Sequence, residues 1–336
     1  MTTHAGARTG ADAIRAEGLT KTFKKTRALR GVDLRVRAGT VTALLGRNGA
    51  GKTTALRILT TLLLPDAGRA EVAGFDVIGD PQRVRARIGV TGQSATMDEL
   101  LTGRQNLETV GRLFHLPSAQ ARRRADELLE RFEMTGAAGR LVRTYSGGMR
   151  RRLDLAASLA AEPPVLFLDE PTTGLDPVSR GAVYRVIRGL TRELGTSVLL
   201  TTQYLEEADQ LADEVTVIDH GQVVATGSPG QLKASAGQPR VRIRLRDTAP
   251  AQPELLARLL PGADHDGRDI SVPAPDGMAS LAAVITRLAP VAADIDDIGL
   301  AHPTLDEVFT RLTSPDGPDT PDARPSTTPS DLAGVR

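Results

Sequence analysis

There is no cysteine in this chain. That removes disulfides, thiolate metal sites and thiol nucleophiles from consideration, and it fits a reducing compartment. Nor does any apolar run approach the roughly 18 residues needed to span a bilayer. The most apolar stretch, LDLAASLAAEPPVLFL, is broken by Glu162, Pro163 and Pro164. The opening residues MTTHAGARTGADAIR lack the apolar centre of a signal peptide. The expectation is a chain soluble by itself, with any membrane role peripheral. An excess of one charge is missing too. The 42 Lys and Arg nearly balance 41 Asp and Glu, leaving a formal +1. No global field therefore points to nucleic acid or to a membrane surface. No internal repeat is visible.

What is present is 336 residues at 40% hydrophobic content, enough for one large core and a smaller one. Residues 1–12 read as disordered. From Ala13 to about Ala236, short apolar strands alternate with amphipathic helices, the pattern of an α/β core. The strands expected are VTALL at 41–45, RIGVTG at 87–92, PVLFLD at 164–169, SVLLTT at 197–202 and EVTVID at 214–219. VLFL and VLLT are continuous apolar runs, as parallel strands buried on both faces require. Between about 94 and 161 the periodicity turns helical, which reads as a helical subdomain inserted between two core strands. The Arg122–Arg124 run within it reads as a solvated helix face. Gly237, Gln238 and Pro239 mark a boundary. Residues 239–313 read as a small accessory α/β module: PRVRIRLRD alternates as a half-buried strand, and helix patterns follow in PELLARLL and SLAAVITRLA. Its last helix, 304–313, carries Leu305, Val308, Phe309 and Leu312 on one stripe, suited to a core or to a partner. The tail 314–336, rich in Pro, Asp, Ser and Thr, is expected to be disordered.

The strongest motif is GRNGAGKT, Gly46, Arg47, Asn48, Gly49, Ala50, Gly51, Lys52 and Thr53, followed by Thr54. It fits G-x-x-x-x-G-K-[ST] at every fixed position, with a strand before it and a helix after it. Glycines let backbone N–H groups turn inward around phosphate oxygens, and the helix N-terminus adds partial positive charge. Lys52 is expected on the β and γ phosphates of ATP, and the Thr53 hydroxyl on Mg²⁺. A second element is PVLFLDEP. A carboxylate ending a buried strand is costly without a cation or donors, so Asp169 fits a Mg²⁺ ligand, directly or through water. Glu170 then suits the general base that activates the attacking water. An apolar strand ending in Asp-Glu is weak evidence alone and gains its force from the phosphate loop.

YSGGMRRRLDLAASLA, starting at Tyr145, places Ser146, Gly147 and Gly148 as a turn at a helix N-terminus, a second anion site. It resembles the signature motif LSGGQ of ABC (ATP-binding cassette) ATPases, with Tyr145 and Met149 departing from it. The resemblance covers about residues 13–235 and implies a P-loop NTPase fold of the ABC nucleotide-binding type. It implies that Phe23 stacks on adenine, although a Phe there could also be core or surface. It implies that Gln93 reaches the metal as the Q-loop glutamine, and that Asp176 in Gly174–Asp176 contacts a partner subunit. It further implies a head-to-tail homodimer in which Ser146–Gly148 of one subunit close on ATP held by the other. Gln203, in TTQYLEEADQLAD, stands where the family usually has a catalytic histidine. Its amide offers both a donor and an acceptor, so it suits a γ-phosphate sensor without a titratable proton.

Finer details, including IGVTGQSATMDELLTGRQNL, VIDHGQ and the terminal LDEVF, resemble the daunorubicin-resistance (DrrA-type) drug-exporter ATPases. That family implies ATP hydrolysis coupled to drug efflux through a separate ABC-2-type membrane permease, at the cytoplasmic face of the membrane, with no nucleic-acid partner. Two other readings stay open. A soluble ABC ATPase without a permease generally has two cassettes or a long coiled-coil insertion, neither of which is seen. A regulatory nucleotide-binding module of negligible turnover is kept open by Gln203.

Overall fold

The computed structural model describes residues 12–92, 97–247 and 258–313. The expectations for the N-terminal segment up to Ala11, for Gln93 and for the tail 314–336 lie outside the described residues. Asp12–Phe23 (β1) and Thr26–Arg37 (β2) form a long antiparallel hairpin. Val41–Leu45 (β3) then enters the centre of the molecule, and Lys52–Leu59 (α1) follows the phosphate loop. Ala67–Val72 (β4) and Phe75–Asp76 (β5) return to the hairpin and complete an antiparallel sheet of order β2-β1-β4-β5.

Pro81–Arg85 (α2) leads into Ile88–Thr91 (β6). Three longer helices come next: Gly103–Leu113 (α3), Ser118–Arg131 (α4) and Gly147–Ser158 (α5). They lie in sequence between β6 and the next strand of the main sheet. Thr102 starts α3 with a reciprocal cap, its side chain taking the Gln105 N–H while the Gln105 side chain takes its own. Val165–Asp169 (β7), Pro177–Leu194 (α6), Ser197–Thr202 (β8), Leu205–Leu211 (α7), Glu214–Asp219 (β9), Gln222–Gly227 (β10) and Pro229–Ala236 (α8) complete the body. The main sheet has the order β10-β9-β3-β8-β7-β6, parallel except for the antiparallel edge strand β10.

Both faces of this sheet are covered, which explains the continuous apolar runs. Leu44, Phe167, Leu199 and Ile218 point to one side and pack with α1 and the antiparallel sheet. Leu45, Leu166, Leu168, Leu200 and Val217 point to the other and pack with the helices.

The C-terminal residues form a third, four-stranded antiparallel sheet. Its strands are Arg240–Leu245 (β11), Asp264–Asp266 (β12), Asp269–Pro273 (β13) and Ile295–Ala301 (β14), in the order β12-β13-β11-β14. Met278–Leu288 (α9) supplies Val284 and Leu288 to its own small core. Residues 289–294 make a short tight helix that leads into β14. The PELLARLL helix falls mostly outside the described residues.

Leu305–Thr313 (α10) departs from expectation. Its stripe does not fill the small C-terminal core. Leu305 and Val308, 4% and 3% exposed, belong to the large core on the helical side of the main sheet, where Phe309 and Leu312 also pack. The helix lies against α8 and α7. Arg311 donates to the Ser235 carbonyl, while an Arg242–Glu307 ion pair ties the helix back to β11.

Candidate nucleotide site

The loop between β3 and α1 needs its glycines for space. A Cβ at Gly46 would sit 2.3 Å from the Ile218 carbonyl oxygen, and one at Gly51 would sit 2.6 Å from that of Ala28. Gly51 also has φ 112°, a region that side chains avoid. The hairpin strand β2 thus abuts the loop. Phe23, at the far end of β1, is 45% exposed and carries Lys21 Nζ 5.9 Å above its ring.

Lys52 opens α1 and is 4% exposed. Its ammonium donates to the carbonyls of Gly46 (2.8 Å) and Arg47 (3.0 Å) and lies 3.8 Å from Glu170 Oε1. Burial lowers its pKa, and the charges of Glu170 and Asp169 oppose that shift. Thr53 Oγ1 lies 3.4 Å from Asp169 Oδ1, so a hydroxyl and a carboxylate face each other beside the loop. Asp169 also accepts a 2.5 Å hydrogen bond from Thr201 Oγ1 on the neighbouring strand β8. No cluster of three His, Cys, Asp or Glu able to hold a metal exists among the described residues. One carboxylate with one hydroxyl is nonetheless the protein donor set Mg²⁺ takes when phosphates supply its other ligands.

Glu170 leaves β7 with φ 49°, a left-handed backbone conformation uncommon outside glycine. Its N–H donates to Thr201 O and Oγ1, both at 3.1 Å, and its Oε2 accepts from Thr173 Oγ1 at 3.2 Å. A cavity of about 650 Å³ runs from Asn48, Glu170 and Gln203 across to Gly147. Gln203 follows β8 directly and is half-buried at this cavity.

Ser146 caps α5, accepting the Met149 N–H on Oγ at 3.3 Å. A Cβ at Gly148 would meet Ser179 Oγ at 2.4 Å. Ser179 in turn donates to Asp176 Oδ2 at 2.6 Å, and Asp176 caps α6 through the N–H groups of Val178 and Ser179. These bonds, led by the Ser179 hydroxyl, lower the Asp176 pKa. Tyr145, the departure from LSGGQ, is buried and donates its hydroxyl to the Ala137 carbonyl at 2.7 Å. It is accommodated because Gly103 has no side chain: a Cβ there would lie 2.3 Å from the Tyr145 hydroxyl.

The fold therefore brings together the loop 46–53, Asp169, Glu170 and Gln203, with Gly147 at the far rim. Phe23 stands exposed at the end of the hairpin whose strand β2 abuts the loop. Sequence reasoning missed Thr201, hidden in an apolar strand, and Arg151, hidden in a run of three arginines. It also missed Glu207 on α7, fully buried, with its Oε1 accepting from Thr172 Oγ1 at 2.8 Å. Burial pushes its pKa up.

The ABC transporter family profile matches residues 29–173. The chain is 53% identical over 306 residues to daunorubicin resistance ATP-binding protein DrrA3 of Streptomyces coeruleorubidus, covering 90% of this chain and 96% of that protein. It is 50% identical over 309 residues to the daunorubicin/doxorubicin resistance ATP-binding protein DrrA of Streptomyces peucetius, covering 90% and 92%. Among solved structures, the ATP-binding cassette MJ0796, a dimer in a post-hydrolysis state with ADP and Pi, superposes with a TM-score of 0.59. That match has 25% identity and covers 64% of this chain and 98% of the cassette.

Proposed function

The chain belongs to the ABC transporter ATPase family, and from that premise we propose that it hydrolyses ATP to drive drug efflux through a separate ABC-2-type permease. The observation that carries the reading is the meeting of Lys52, Asp169, Glu170 and Gln203 around one phosphate loop. Drug export is taken from the resistance proteins that match along nearly their whole length.

In this reading the N–H groups of 46–53 and the Lys52 ammonium offset the charge of the β and γ phosphates. Preorganised charge of this kind is usually the largest catalytic term. Thr53 and Asp169 would hold Mg²⁺, with Gln93 as a further ligand, and the bound cation would supply charge that offsets the phosphate oxygens. Glu170 takes the proton of the attacking water. Gln203 donates its amide N–H to a γ-phosphate oxygen and keeps its carbonyl for a neighbouring donor. Phe23 stacks on the adenine. Ser146, Gly147 and Gly148 serve the nucleotide of a second copy, and Asp176 meets that copy beside them. The Gly148–Ser179–Asp176 contact makes these two partner-facing turns one unit.

The permease partner fits a groove of about 420 Å³ between the main body and the helical insertion, with Leu62, Val90 and Phe114 exposed at it. Among the described residues no helix is long and apolar enough to cross a membrane. The chain then sits peripherally, at the cytoplasmic face.

Three measurements test the reading. Lys52→Ala should abolish ATP binding, and parental affinity would remove the loop assignment. Glu170→Gln should bind ATP, lose turnover and accumulate a closed dimer; parental turnover would remove it as the base. A host carrying the ATPase with its permease should survive anthracyclines better than one with Glu170→Gln. Equal sensitivity across a broad drug panel would sink the export reading.

A further inference from the structure

Three consecutive arginines on α5 have three different fates. Arg150 donates outward to the Arg143 carbonyl at 3.0 Å. Arg152 donates to the Phe132 carbonyl at 3.2 Å. Arg151 turns inward, its side chain only 12% exposed, and all five of its N–H donors find acceptors. Nε donates to Pro171 O at 2.7 Å. Nη1 donates to Gly92 O at 2.8 Å and to buried Asp154 Oδ2 at 3.4 Å. Nη2 donates to Asp169 O at 3.1 Å and Glu170 O at 3.2 Å. One planar fork thus grips three successive carbonyls at the end of β7 and one just past β6.

We propose that Arg151 is a positioning residue for Glu170, fixing the left-handed turn that aims its carboxylate at the reacting water. The proposal rests on the reading of Glu170 as general base. The left-handed conformation persists only where the surroundings over-determine it. Here the N–H of Glu170 is held by Thr201 O and Oγ1, and its C=O by Arg151. Both peptide planes flanking its Cα are therefore pinned, and the side chain has one exit from the strand. Only a rigid guanidinium spans acceptors so placed, because a lysine has three donors around a single point. Burial lowers the Arg151 pKa, with Asp154 foremost in opposing it. The same helix begins at Ser146, five residues earlier. Arg151 thus ties that helix to the turn at Glu170.

The test uses full-length chain with Arg151→Lys and Arg151→Gln, each alone and combined with Glu170→Gln. Steady-state turnover and ATP affinity are measured for all. Misplacing a reacting group by about 1 Å can cost on the order of 100-fold, so each single Arg151 variant should lose roughly 10–100-fold in kcat. ATP affinity should stay within about twofold, as befits a loss confined to the transition state. On top of Glu170→Gln the same substitutions should change the residual rate less than about twofold, because two residues acting as one unit are not additive. Parental kcat, an equal loss of ATP affinity, or a full repeated loss in the Glu170→Gln background would each overturn the role. Arg151→Lys keeps the charge facing Asp154 and carries the test if Arg151→Gln does not fold. Parental turnover by Glu170→Gln alone overturns the general-base reading itself, whereas parental turnover by the Arg151 variants alone overturns only the positioning role.

Discussion

Replacing Thr201 by valine deletes one hydroxyl and leaves the shape of the side chain intact, at a position with no solvent exposure. That hydroxyl does two things: it donates to Asp169 Oδ1 at 2.5 Å and accepts the Glu170 N–H at 3.1 Å. The N–H keeps its second acceptor, Thr201 O at 3.1 Å, so its loss is small. Asp169, 5% exposed, is left with the 3.4 Å contact from Thr53. The cost is thus one hydrogen bond to a buried charge, about 1.5–3 kcal/mol. At about 2–4 °C per kcal/mol for a domain of 150–250 residues, the midpoint of thermal unfolding should fall by roughly 3–12 °C. Scanning calorimetry without nucleotide measures it. With Mg–ATP added the deficit should narrow, because the cation takes up the orphaned carboxylate. Equal midpoints without nucleotide would refute the energetic argument. A deficit unchanged by Mg–ATP would refute Asp169 as the metal carboxylate.

Further outcomes follow from other residues. Gln203→Ala should slow ATP turnover more than Gln203→His does, since histidine restores a donor; undiminished turnover in the alanine variant would reject the sensor role. Leu305→Ala should destabilise the body of the parallel sheet by about 2–5 kcal/mol, the usual cost of truncating a buried leucine. Faster thermal loss of ATPase activity reports it, and an unchanged inactivation rate would place α10 elsewhere. Glu207 has its carboxyl pKa raised by burial, so the folded state holds its proton where the unfolded chain has released it. Its contribution is fully present below the ordinary glutamate pKa and is lost as pH rises through the raised value. Urea unfolding across that range should therefore show the parent losing stability relative to Glu207→Gln, and parallel profiles would contradict this.

The parallel strands were legible because burial on both faces forces continuous apolar runs, and the phosphate loop because its glycines are dictated by contacts of 2.3 and 2.6 Å. The hairpin of β1 and β2 was not. Its residues alternate with arginine and lysine, and register shifts between Ala16 and Thr20 spoil the period. Arg151 was hidden by its neighbours, since an arginine run normally marks a solvated face. The stripe of α10 announced an apolar neighbour but carried no address. Local periodicity specifies that a face is buried, and only the fold decides against what. Tyr145 looked like a deviation and is explained by the missing side chain of Gly103.

The docking of α10 also sets a timetable. The ribosome makes it roughly 70 residues after α8, a delay of about 4–14 s at 5–20 residues per second. During that interval every residue of the nucleotide site already exists, yet the faces of α7 and α8 that α10 covers are bare. A nascent chain stalled before Leu305 would expose an apolar surface attractive to chaperones and proteases, with a complete phosphate loop attached. The cassette body is therefore closed only when the last helix of the described residues has been made and docked.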